Sequence, residues 1–202
     1  MDIIVDSVKK LEKLLEHSGC SDGGVRLDVD PYVVNCRFEK GACMTADFGK
    51  KQGIFTTFDP LRCLTKISFM FGAPLDTPPA RGAACAITNV AAGFFCLSRT
   101  LHPCPAASHA SCGKNLGEEL AGRQVFAVGT IQGLESIHGI TVTPDPSGAD
   151  IILIGCEGLI DPVAGEIIGR YAKTKRILFL GPSTAGIARL NEMEHLCPHG
   201  LS

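Results

Sequence analysis

The sequence predicts an α/β fold in two parts: an N-terminal α+β domain over residues 1–113 with a small antiparallel sheet, then a C-terminal domain over residues 114–202 built on a parallel sheet. Three observations carry this. Between Val25 and Phe48 the apolar residues recur with a period near two, the mark of half-buried strands. After Arg123, short apolar runs at 124–128, 150–154 and 176–180 each end on a glycine (Gly129, Gly155, Gly181) and alternate with helical segments. Such continuous apolar strands imply a parallel sheet covered on both faces. Finally, residues 80–97 are alanine-rich and apolar on most sides, as in a buried helix.

Composition narrows the function. A chain of 202 residues with 45% hydrophobic and 20% charged residues can bury a sizeable core. A net charge of −2 disfavours binding to nucleic acid or to a membrane surface, both of which reward a basic excess. The first residues, Met-Asp-Ile-Ile-Val-Asp, lack the basic and apolar regions of a signal peptide. The longest apolar stretch, 83–97, is interrupted by Thr88, Asn89 and Gly93 and is too short to span a bilayer. The expectation is a cytoplasmic protein whose ten cysteines are reduced, a composition that suits an anaerobic host.

Element by element, Ile4, Val8, Leu11, Leu14 and Leu15 are spaced for one face of a helix that stops at Ser18-Gly19. Val25, Leu27 and Val29 alternate with charged residues, and segments 32–38 and 42–48 flank Glu39-Lys40-Gly41 as a hairpin with its loop. Asp59-Pro60 reads as the cap and first turn of a helix over 61–71, after which Pro74 and Pro78-Pro79 impose a loop. Asn89 is polar inside the buried helix and needs partners, most simply in a neighbouring loop. A short helix over 114–120 closes the first half. In the second half, residues 140–143 form a weaker fourth strand, Asp161-Pro162 starts a helix, and another helix covers 185–193.

Two sets of residues suggest chemistry. Cys96, His102, Cys104, His109 and Cys112 crowd one short segment pinned by Pro103 and Pro105, and thiol and imidazole donors without carboxylates favour a transition metal. The spacing matches no zinc-finger or ferredoxin pattern, so these cysteines also read as small core hydrophobes. The second set is the rim at the carboxyl ends of the parallel strands, where ligands of open α/β sheets bind. Gly129, Thr130, Gly155, Gly181, Ser183 and Thr184 lie there, suited to a phosphate or carboxylate, although Ser183 or Thr184 equally serves as a helix cap. Cys156 and Glu157 on the same rim are the nucleophile and acid/base candidates if the protein is an enzyme. His195, Cys197 and His199 alternate near the end of the sequence and repeat the soft-donor mixture. No dinucleotide or P-loop fingerprint is present.

Two motifs resemble a known family. Residues 80–91, with Arg81 and Asn89, are similar to the alanine-rich helix of a family described as heavy-metal chelation proteins, and Gly181-Pro182-Ser183-Thr184 resembles that family's glycine-proline-serine-threonine signature. Ala185 stands where the family has a further proline. The resemblance implies an enolase N-terminal-like domain followed by a Rossmann-like domain, with Asn89, Gly181, Pro182, Ser183 and Thr184 carried over. It also implies a metal-binding or metallo-cofactor-binding role in an interdomain cleft or, as the alternative, an enzyme of metal-cofactor or corrinoid metabolism. The partners expected are a metal ion or an anionic small molecule, with a homo-oligomer allowed.

Overall fold

The structure, a computed structural model, describes residues 2–202. Helix α1 (Ile3–Leu15) begins at Asp2, whose carboxylate accepts from the N–H groups of Ile4 and Val5 at 3.0 and 3.3 Å. It buries Ile4, Val8, Leu11 and Leu15, and leaves Leu14 outside. Strands β1 (Gly24–Asp30), β2 (Ala42–Phe48), β3 (Lys51–Thr57) and β4 (Cys63–Lys66) form an antiparallel sheet in the order β3-β2-β1-β4.

The expected hairpin across Glu39-Lys40-Gly41 does not form. β2 turns instead through Gly49-Lys50, both at positive φ (55° and 64°), the pair of left-handed residues that a tight hairpin with the native strand twist requires. Residues 32–40 contain no strand and cross to the second sheet, so Phe38 joins its core. The expected helix over 61–71 is also replaced. Its first half is β4, paired to β1, and only Ile67–Met70 coil into a 3-10 turn. Backbone pairing to Val25 and Leu27 outweighs the helical spacing there.

Helix α2 (Pro78–Phe94) starts earlier than expected, because Pro78 and Pro79 occupy its first turn, where proline costs no hydrogen bond. It is buried almost end to end, with the Arg81 guanidinium clamped by Asp2 and by the carbonyls of Leu75 and Ile160. Next come α3 (His109–Leu120), β5 (Gln124–Val128), β6 (Thr141–Val142), β7 (Ile151–Ile154) and α4 (Cys156–Ile160). The chain continues through α5 (Val163–Tyr171), β8 (Arg176–Leu180), α6 (Ala185–Leu190) and β9 (Glu194–Leu196). The second sheet is parallel throughout, in the order β6-β5-β7-β8-β9. The sequence reading lacked β9 and ran the preceding helix on to 193; the helix in fact ends at Leu190, and residues 194–196 add an edge strand.

Both sequence-predicted parts are therefore present, but they share one core. A single apolar cluster runs from Leu11, Met44 and Phe55 through Ala84 and Ile87 of α2 to Ile154, Leu159, Phe179 and Ile187. A second cluster on the other face of the parallel sheet joins Cys36, Phe38, Cys112, Leu116, Leu153 and Leu180. Among the described residues no helix is long and apolar enough to cross a membrane.

Candidate functional site

The centre of the molecule is a carboxyl group that sequence reading assigned to a turn. Glu39 is 2% exposed. Its Oε1 accepts from the Ser183 N–H at 3.1 Å, and its Oε2 accepts from the hydroxyls of Ser183 and Thr56 at 2.8 and 2.7 Å. Ser183 Oγ in turn accepts from the Thr56 N–H at 2.9 Å, which leaves its proton for Glu39. Burial raises the carboxyl pKa against the pull of these donors. Glu39 thus occupies the position at Ser183 that the sequence reserved for an external anion. Thr184 is likewise engaged, donating its hydroxyl to the Gly181 carbonyl at 3.1 Å.

Asn89 is the companion of this arrangement. Its amide donates to the carbonyls of Ile54 and Ser183 at 2.7 and 2.8 Å, and its oxygen accepts from Gly186 N–H at 2.7 Å. One side chain thereby ties α2 to β3 and to the loop after β8. It is a fastening, as the simplest sequence reading expected, and touches no open space: the residue is 1% exposed.

The rim between β5 and β7 is closed in a similar way. Gly129 and Gly158 are in backbone contact, so close that a Cβ on Gly158 would overlap the Val128 carbonyl. The Thr130 N–H donates to Glu157 Oε2 at 2.9 Å, so a carboxylate of the chain itself again takes the anion position. Gly155 caps α4, its carbonyl accepting from Leu159 N–H. Cys156 is 1% exposed, and burial, together with the nearby Glu39, pushes its thiol well above the ordinary range. A thiol so placed is a poor nucleophile. A shallow depression of about 430 Å³ remains outside the rim, lined in part by Gly129, Thr130, Gln132 and Glu135.

The cysteine–histidine segment divides. Cys96 is exposed at the end of α2, with φ 57°. His102 turns to the Gln52 backbone, close to Asp47 and Lys51, and burial lowers its pKa. Cys104 and Cys112 are both buried, and the Cys104 thiol lies near enough to act on Cys112. Burial and the Cys104 thiol push Cys112 up to about 11. His109 lies one turn before Cys112 on α3, with Nε2 buried and unpartnered among the described residues.

Two cysteines outside the segment complete the group. Cys36 feels Glu39, Cys197 and Cys112, and Cys197 feels Glu39, Cys112 and Cys104. Burial first, then these neighbours, raises Cys36 strongly and pushes Cys197 up to about 12. Cys43, also beside Glu39, is pushed up to about 12, chiefly by burial. The result is a patch of neutral thiols around one buried carboxyl at the carboxyl end of β8. Among the described residues, no group of three or more His, Cys, Asp or Glu stands at spacing ready to hold a metal ion. The donor chemistry of these thiols suits a soft ion. Sequence reading missed Glu39 and Cys36 because both lie in what looked like a hairpin; nothing in the local pattern distinguishes a buried glutamate from a turn glutamate.

A four-stranded antiparallel sheet and a Rossmann-like parallel sheet sharing a buried helix define the class of fold. No family model and no curated protein matches the chain. Solved structures do. A protein of unknown function of the DUF364 family from Desulfitobacterium hafniense is similar with a TM-score of 0.50 and 15% identity, over 96% of this chain and 84% of that one. A second DUF364 protein of unknown function, from Pyrococcus horikoshii, gives 0.46 and 14% over 90% of this chain and 79% of that one. The likeness is one of fold.

Proposed function

We propose that the protein binds a soft metal ion, with the thiols of Cys104 and Cys112 as its principal donors and Cys36 and Cys197 beside them. The observation that carries this reading is the burial of Cys104 and Cys112 near each other, with Cys36 packed in the same apolar cluster as Cys112. Thiolate donors select copper(I) and related soft ions. An ion content with two sulfur donors, such as copper(I) or mercury(II), matches a pair better than zinc, which takes four ligands in structural sites. The raised thiol pKa values mean that binding releases protons and so strengthens as pH rises. A metal ion is favoured over an anionic ligand, since Glu39 and Glu157 already hold the N–H groups of Ser183 and Thr130.

The test is oxygen-free titration with mercury(II) and copper(I), followed by desalting and elemental analysis. One equivalent is retained by the native protein, and retention is lost in a folded Cys104→Ser, Cys112→Ser double variant. Equal retention by native protein and variant refutes the assignment.

A further inference from the structure

Arg37 lies in the segment that crosses from the antiparallel sheet to the parallel one, between the buried Cys36 and Phe38. It is half-buried, and its Nη1 donates to the His109 carbonyl, in the first turn of α3, at 2.8 Å. The guanidinium stands 5.5 Å from the centre of the Phe38 ring. It also rests on Gly113, where a Cβ would lie 2.8 Å from Arg37 Cζ and overlap Nη1. The group is held in one place, yet among the described residues it enters no ion pair, and its Nε and Nη2 have no hydrogen-bond partner. A planar guanidinium fixed in this way is the side chain best shaped to take a carboxylate or phosphate through two parallel N–H donors. Arg37 borders an open depression of about 480 Å³ beside α3. Lys114, Ser136 and His138 share that border, with Ala110 and Ile137 as its apolar part. Lys114 approaches Glu118, on the same wall, only at 3.7 Å and with both side chains well exposed, a pairing that engages little of its charge.

We propose that this depression binds a small organic anion, a carboxylate or phosphate ester on an apolar body, with Arg37 as the principal binding residue and Lys114 as a second charge. The His109 carbonyl takes Nη1 and leaves Nε and Nη2, which lie along one edge of the guanidinium. That edge grips two anionic oxygens side by side. The apolar body of the ligand rests on Ala110 and Ile137. The contrast with the glycine rim is direct. There Glu39 and Glu157 accept from the N–H groups of Ser183 and Thr130, whereas no carboxylate of the described residues pairs with Arg37. An open site with one fixed fork binds a small anion at about the millimolar level. The inference goes beyond the soft-metal reading and is independent of it, since it uses no thiol and applies to metal-free protein.

The experiment titrates metal-free protein at low ionic strength with benzoate, phenyl phosphate and, as the neutral control, benzamide, and follows the backbone amides by NMR. At least one of the two anions shifts the Gly113 and Gly117 amides saturably, with a Kd of about 1 mM, and benzamide binds about tenfold more weakly or not at all. Which anion binds tighter tells a carboxylate site from a phosphate site. Arg37→Gln weakens binding by about tenfold or more. Ala110→Glu, at an exposed position next to His109, supplies a carboxylate of the chain itself to the guanidinium; it removes binding without loss of stability, and it carries the test if Arg37→Gln does not fold. Absence of a saturable shift with either anion up to about 20 mM overturns the proposal and leaves Arg37 a fastening of its segment to α3. Equal binding of benzamide, or unchanged affinity in folded Arg37→Gln or Ala110→Glu, overturns it as well.

Discussion

Replacing Asn89 by alanine isolates the fastening between the two sheets. The substitution removes one side chain from the middle of α2 and leaves three buried backbone groups without partners: the carbonyls of Ile54 and Ser183 and the N–H of Gly186. Alanine is the best helix former, so α2 itself does not suffer. Each buried group left unsatisfied costs about 1–3 kcal/mol. Allowing for some relief by water, the sum is about 3–6 kcal/mol, a large share of the roughly 5–15 kcal/mol that stabilises an ordinary domain. With a urea dependence of about 2 kcal/mol per molar, the unfolding midpoint drops by roughly 1.5–3 M. The chain has no tryptophan, so far-ultraviolet circular dichroism is the probe. A midpoint shift equivalent to less than about 1 kcal/mol refutes the claim that these bonds join the two halves.

Other perturbations probe neighbouring groups. Burial raises the Glu39 carboxyl above its ordinary 4.5, so the folded chain keeps this proton at pH values where the unfolded chain has released it. Its contribution is therefore full below about pH 4.5 and is lost as pH rises through the raised folded value; Glu39→Gln, which stays neutral, flattens that decline, and parallel stability–pH curves for the two proteins refute it. Thr88 presents the opposite case, a hydroxyl oxygen buried in α2 with no hydrogen-bond partner among the described residues. Thr88→Val replaces it with a methyl group of nearly the same shape and stabilises the protein by about 1 kcal/mol in urea titration; a loss of stability means that the hydroxyl is satisfied.

Much of this molecule is legible in its residues. The period-two alternation at Val25–Val29, the glycine-terminated apolar runs and the alanine-rich segment yield both sheets and the buried helix, because side-chain periodicity and burial are local consequences of composition. The sequence also singled out Asn89 and Ser183, which the fold uses as fastenings, and Cys104 and Cys112, which it buries. What it could not decide was pairing across distance. Whether residues 42–48 turn back through Gly41 or through Gly49-Lys50 depends on competing partners, and the second choice frees Cys36 and Glu39 to reach the other half of the chain. The same holds for Cys197, which is carried back beside the parallel sheet only because β9 adds to it and Leu201 bridges His102. The identity of the side chains is written in the chain; which of them meet is set by which strands find each other, and burial then decides how a carboxyl and a handful of thiols behave.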